Sequence, residues 1–113
     1  MKILIDHPQY QSIFTFLNIE GHSPIELKDC EDPIKKYNER GCDGAIMDLS
    51  TGYESAEKLC KLENSIVLTT SNTIYNKNGG IYENHSKRIR ANGHIVGINS
   101  VLDIIDAIKK AKG

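Results

Sequence analysis

The chain has 113 residues, a length that predicts one domain, residues 1–113, with enough buried surface for a core. Its 14 basic and 15 acidic residues give a formal net charge of −1, which argues against binding of nucleic acid or an anionic membrane through bulk charge. The three cysteines are widely spaced and form no CxxC pair, so they predict neither a zinc site nor a disulfide framework. We therefore expect reduced thiols in a cytoplasmic protein.

The first predicted strand is the apolar run KILI at residues 2–5. A helix at 10–21 follows it, and we expect the apolar stripe of this helix to face the core. The members of that stripe are Ile13, Phe14, Phe16 and Leu17. A second short strand, PIEL, is predicted at 24–27.

A second helix is predicted at 32–41, with Asp32 as its N-cap, Pro33 in its first turn and Gly41 at its end. The third strand, GAIMDL at 44–49, is apolar until it reaches an aspartate. The later elements are a helix at 53–65, a strand at 65–70, a weakly amphipathic helix at 83–93, a strand at 94–98 and a strongly amphipathic helix at 100–113.

Five short apolar strands thus alternate with helices. Apolar runs without strict alternation are typical of strands that are covered on both faces. With right-handed crossovers, this pattern predicts an α/β protein of the flavodoxin-like type, a three-layer sandwich with a five-stranded parallel sheet in the order 2-1-3-4-5.

Polar side chains follow three of these strands at the point where each strand ends. Asp6 ends the first strand, Asp48 ends the third, and Thr69 and Thr70 end the fourth. Because ligands bind beyond the carboxyl ends of the strands in this topology, we expect these groups to converge. Two carboxylates suit Mg²⁺, and one of them is a candidate nucleophile towards a phosphoryl group. The plain alternative is that both aspartates are ordinary loop-entry residues.

At these positions the chain resembles the receiver domains of two-component response regulators, in a layout that covers nearly the whole sequence. The stretches that carry the resemblance are ILID, CDGAIMD and IVLTTS. The resemblance implies a CheY-like fold with Asp48 as the phosphoryl acceptor. It further implies that Asp6 and the backbone carbonyl of Ser50 help to hold a metal ion, and that Thr70 (or Thr69) binds a phosphoryl oxygen.

The sequence departs from the receiver pattern at four places. One is the segment LSTGYES after Asp48, which lacks the family's proline and is several residues shorter. His7 stands where the family has a second acid, and the stretch HIVGINS lacks the Lys-Pro pair that follows the fifth receiver strand. The loop SNTIYNKNGGIYENH is unlike a regular fourth helix. These departures favour a degenerate receiver, a stand-alone signalling module that is not an enzyme, with weak Mg²⁺ binding and with phosphorylation at Asp48 weak or lost.

Two alternatives stay open. One is an active phospho-accepting receiver. The other is a small flavodoxin-like or STAS-like domain with a different ligand, since GAIMDLSTGYES resembles the central strand and helix start of STAS domains. In that case Ser50, Thr51 or Ser55 is the candidate phosphorylation site.

Binding to a partner protein is expected to use a local patch, because the chain has no bulk charge bias. Tyr75 and Tyr82 lie close in sequence to the basic run that contains Arg88, and Tyr and Arg are enriched at interface hot spots. We expect a histidine kinase or a second copy of the chain as the partner, and neither nucleic acid nor a membrane. The alternative is that the segment 72–92 is a solvated loop.

Overall fold

A computed structural model describes residues 1–8, 10–28, 30–62, 65–71, 81–96 and 106–110. Its strands are β1 (Lys2–Asp6), β2 (Ser23–Glu26), β3 (Gly44–Asp48), β4 (Ile66–Ser71) and β5 (Gly93–Val96). Its helices are α1 (Tyr10–Ile19), α2 (Pro33–Glu39), α3 (Leu49–Cys60) and α4 (Ile81–Arg88), and residues 106–110 are also helical.

The five strands form one sheet in the order β2-β1-β3-β4-β5, and every neighbouring pair is parallel. This confirms the predicted flavodoxin-like topology. β1 lies between β2 and β3 and is parallel to both, so the described residues do not form the antiparallel N-terminal strand pair that the STAS-like alternative requires.

Alternate side chains of the sheet enter two separate apolar layers, which confirms the three-layer architecture. Leu4 and Met47 belong to the layer shared with α2 and α3. Ile5 and Ile46 belong to the other layer, which is shared with α1 and with Ile108 from the final helical stretch. Since burial of each such side chain contributes roughly 1.5–3 kcal/mol, these layers hold the strand ends in fixed positions.

The residues that begin and end α2 behave as the sequence predicts. Asp32 has an extended backbone, and its Oδ1 accepts hydrogen bonds from the amides of Ile34 at 2.9 Å and Lys35 at 3.2 Å. Pro33 occupies the first turn, where its missing N–H costs nothing. The chain leaves the helix through Gly41, whose φ of +64° lies in the left-handed region that glycine adopts without steric cost.

Only two of the four residues in the predicted apolar stripe on α1 are buried. Ile13 and Leu17 are fully buried, but Phe14 and Phe16 are 36% and 42% exposed. Positions 13 and 17 share one helical face, whereas 14 and 16 lie on either side of it, and Phe14 packs against Tyr10 instead, with ring centroids 5.6 Å apart.

Other boundaries differ from the prediction by a few residues. α3 begins at Leu49, directly after β3, four residues earlier than predicted, and it contains non-helical backbone at Gly52. α4 covers residues 81–88 rather than 83–93. Most of the predicted last helix lies outside the described residues. Across the described ranges, no helix combines the length and apolar character needed to cross a membrane.

Candidate functional site at the carboxyl ends of the strands

The strand register brings three of the predicted site residues to one edge of the sheet. Asp6 pairs with Met47, so its Cα is diagonally next to that of Asp48, and Asp48 pairs directly with Thr70 on β4. From the usual strand spacing and rise, the Cα atoms of the two aspartates lie roughly 6 Å apart. We call the edge formed by Asp6, Asp48 and Thr70 the strand-end rim.

Asp48 is buried at the junction between β3 and α3, with only 5% of its surface exposed. An ionised carboxylate in such a place needs compensating partners. His7, the residue that follows β1, lies close enough for the charge of Asp48 to affect its pKa. Burial lowers the pKa of His7 from its usual 6.5, and the negative charge of Asp48 opposes part of this shift. The imidazole is therefore mostly neutral near pH 7.

The two neighbouring threonines of β4 point to opposite faces of the sheet. Thr69 Oγ1 lies 2.6 Å from Ser86 Oγ, 2.7 Å from His94 Nδ1 and 3.3 Å from the carbonyl of Gly93. Thr70 is equally buried, but its Oγ1 has no hydrogen-bond partner among the described residues. Of the two hydroxyls that the sequence left open, that of Thr70 is therefore the one available to a ligand at the strand-end rim.

Asp6, the last residue of β1, lies near the start of α3, to which Ser50 belongs. The Asp6 carboxylate approaches the backbone of Gly52, so its negative charge is near the amino-terminal end of the helix, where the helix dipole favours it. Ser50 belongs to the first turn of α3, two residues after Asp48, and the structure describes its backbone alone.

The residues at the strand-end rim suit Mg²⁺ better than a transition metal. Mg²⁺ is commonly held by one or two carboxylates and keeps several waters, and the rim offers Asp6 and Asp48. Within the described ranges no three His, Cys, Asp or Glu side chains gather as metal ligands, which is what a zinc site needs. The unpaired hydroxyl of Thr70 fits an oxygen-rich ligand at the same place.

A cleft of about 570 Å³ opens beside the rim, between the ends of β1 and β2. Asp6 and His7 line it from one side, and Glu26 and Lys28 line it from the other. The cleft gives a small molecule a route to the carboxyl end of β1.

The predicted interaction residues are only partly covered by the structure. Arg88 is exposed at the end of α4. Tyr82 belongs to the same helix, but its side chain is outside the description, and Tyr75 lies outside the described residues altogether. Their proposed role stays a prediction.

Sequence reasoning missed a polar cluster on the side of the sheet that faces α4. His94 on β5 has one ring nitrogen 2.7 Å from Thr69 Oγ1 and the other 2.9 Å from Ser71 Oγ, and Thr69 also contacts Ser86 on α4. The signal in the sequence was the alternation of hydroxyls at 69 and 71, but only the register, which pairs Thr69 with His94, connects them to the histidine.

Solved structures with the same fold are response regulators and their receiver domains. A two-component response regulator from Clostridium difficile superposes with a TM-score of 0.80 at 17% identity, over 99% of this chain and 95% of that chain. An orphan response regulator of H. pylori gives a TM-score of 0.77 at 17% identity, over 98% and 95%. The BeF3-activated N-terminal receiver domain of RstA from Klebsiella pneumoniae gives 0.78 at 11% identity, over 96% of each chain.

No protein-family model and no curated protein matches the sequence. At these identities the comparisons establish the architecture: the chain has the fold of response regulator receiver domains, as the sequence predicted.

Proposed function

We propose that the chain is a receiver-like signalling module that acts by binding a partner protein, and that Asp48 accepts a phosphoryl group poorly or not at all. The observation that carries the proposal is the composition of the strand-end rim. It keeps the acceptor carboxylate and a hydroxyl at the carboxyl ends of β3 and β4, but it has a neutral histidine beside them where receivers have an acid.

Asp48 and Thr70, which match the receiver pattern, support a role for Asp48 as a phosphoryl acceptor. In the transfer, a carboxylate oxygen of Asp48 would form a bond to phosphorus while the bond to the donor's leaving group breaks and that group takes the electron pair. The hydroxyl of Thr70, whose residue pairs with Asp48 on the neighbouring strand, would donate a hydrogen bond to an oxygen of the transferred group. A bound Mg²⁺ supplies charge neutralisation in such a site.

The positions that depart from the receiver pattern support weak phosphorylation. His7 supplies no negative charge at neutral pH, so Asp6, Asp48 and the carbonyl of Ser50 are left to hold Mg²⁺, and we expect weak binding. The stretch HIVGINS, which contains part of β5 and the residues after it, has no lysine, although the resemblance to receivers calls for one there that contacts the phosphoryl group. A transferred group at Asp48 would therefore be poorly stabilised.

The proposed mode of action is protein binding in the cytoplasm, without catalysis on a small-molecule substrate. The net charge of −1 favours a protein partner over nucleic acid or a membrane. The candidate surface contains Tyr75, Tyr82 and Arg88, and the expected partner is a histidine kinase or a second copy of the chain.

The test is incubation with a small phosphodonor and Mg²⁺, followed by intact mass measurement of the wild-type chain and of Asp48→Asn. We expect slow and substoichiometric addition of phosphate to the wild-type chain, and none to the variant. Rapid stoichiometric addition that disappears in Asp48→Asn would establish the alternative, an active receiver. Addition that persists in the variant would exclude Asp48 as the acceptor.

A further inference from the structure

We infer that Gly52 is a positioning residue of the strand-end rim, because only a residue without a side chain at this place in α3 lets the Asp6 carboxylate occupy its observed position. This inference deepens the proposed function, since it concerns one of the two carboxylates that the proposal assigns to Mg²⁺. It does not depend on whether Asp48 is phosphorylated.

The contact between the two residues is too close for a side chain at position 52 while the Asp6 carboxylate keeps its position. A Cβ built on Gly52 would lie 2.8 Å from Asp6 Oδ2 and 3.7 Å from Asp6 Cγ. Non-bonded carbon and oxygen atoms do not approach so closely without one of them moving. Met47 Cε lies 3.7 Å from the same point, an ordinary van der Waals distance, so the clash is with the Asp6 carboxylate.

The backbone at Gly52 does not by itself require glycine. Its φ of −130° and ψ of 33° break the helical geometry of α3, but they lie outside the left-handed region that side chains avoid. Replacing glycine by alanine where alanine can adopt the backbone conformation reduces the conformational freedom of the unfolded chain. Without the Asp6 contact, Gly52→Ala should therefore stabilise the protein, so a destabilising effect would report the contact itself.

The chain path explains why the contact occurs here. α3 begins immediately after Asp48, and its non-helical residue is the fourth after that carboxylate. The interruption lets the first turn of α3 pass close over the end of β1, where Asp6 is located. The glycine thus sets the distance between the helix start and one carboxylate of the rim, and the same helix start supplies the backbone carbonyl of Ser50.

The experiment is a double-mutant cycle on the full chain with Gly52→Ala, Asp6→Ala and the double variant, followed by urea unfolding. We expect Gly52→Ala to lower the unfolding midpoint in the wild-type background and to leave it unchanged or raise it when Asp6 is alanine. Equal effects in both backgrounds would overturn the inference. If Gly52→Ala does not fold alone, recovery of folding in the double variant supports the inference, and failure of both overturns it.

A second measurement separates positioning from plain packing. The ¹³C shift of the Asp6 carboxyl group and the amide shifts on titration with Mg²⁺ are compared between the wild-type chain and Gly52→Ala. We expect a displaced carboxyl shift and Mg²⁺ binding weakened by about tenfold, a typical effect when a residue that orients a ligand is changed. An unchanged carboxyl shift together with unchanged Mg²⁺ affinity would overturn the inference.

Gly93→Ala is the matched control, because its Cβ would meet only the end of the Leu68 side chain, at 3.2 Å, near the other end of β4. It should leave the Asp6 carboxyl shift and the Mg²⁺ affinity as in the wild type. If the wild-type chain binds no Mg²⁺ at tens of millimolar, the proposed metal role fails. The mutant cycle and the carboxyl shift then still decide whether Gly52 positions Asp6.

Discussion

Replacing Thr69 and Thr70 separately by valine should change the stability of the protein in opposite directions. The two residues are neighbours on β4, both are at most 1% exposed, and valine has nearly the same shape as threonine. The side chains differ only in what their hydroxyls contact. Thr69 contacts Ser86 and His94, whereas Thr70 Oγ1 has no partner in the part of the chain that the structure describes.

The magnitudes follow from these contacts. An unpaired buried hydroxyl costs about 1 kcal/mol or more, so Thr70→Val should raise the free energy of unfolding by about 1 kcal/mol. Thr69→Val takes a hydrogen-bond partner from Ser86 Oγ and from His94 Nδ1, both in or near the protein interior, and should lower the free energy of unfolding by about 2 kcal/mol. The two variants should therefore differ by about 3 kcal/mol.

Urea unfolding followed by circular dichroism measures this difference. With a slope of about 1.5 kcal/mol per molar urea for a small domain, the midpoints of the two variants should lie about 2 M apart, on opposite sides of the wild type. If Thr70→Val is destabilised as much as Thr69→Val, the Thr70 hydroxyl is paired in the folded protein. The Thr70 hydroxyl would then not be available to a ligand.

Three other outcomes are expected. Asp32→Ala removes the side chain that caps α2 and should lower the free energy of unfolding by about 1 kcal/mol in urea unfolding, with an unchanged transition slope. Burial raises the pKa of Cys60 from 9.0 to about 11 and that of Tyr37 from 10.0 to about 12, so the unfolded chain releases these protons first. Stability should be fully present below pH 9 and should fall as the pH rises towards 12; a flat urea midpoint from pH 8 to 11 would contradict the burial of both groups. Tyr82→Ala combined with Arg88→Ala should reduce self-association in sedimentation or binding to a partner kinase, and no change in either, with the fold intact by circular dichroism, would remove the proposed surface.

The sheet was predictable because its signals are local and strong. Each strand is a short apolar run, and helices between the strands force parallel pairing with right-handed crossovers. This was enough to give the order of all five strands and to bring Asp6, Asp48 and Thr70 to one edge. The cap of α2 was predictable for the same reason, since Asp32 and Pro33 act on the backbone next to them.

The features that sequence reasoning missed depend on contacts between distant segments. Which of two adjacent hydroxyls is already paired depends on α4 and β5, so Thr69 and Thr70 look alike in the sequence. The close approach of Gly52 to Asp6 depends on how α3 packs over the end of β1, and nothing within α3 itself reports that distance. The exposure of Phe16 reflects the narrow face of α1 that the sheet can cover.

The most direct test of the account is whether restoring an acid at His7 strengthens the site. Asp at this position adds a negative charge beside Asp48, so His7→Asp should bind Mg²⁺ about tenfold more tightly in amide NMR titrations. With a small phosphodonor and Mg²⁺, intact mass should show faster phosphate addition to His7→Asp than to the wild-type chain, and none to His7→Asp combined with Asp48→Asn. Equal Mg²⁺ affinity and equal phosphorylation in the wild type and His7→Asp would contradict the claim that the neutral histidine weakens this receiver-like site.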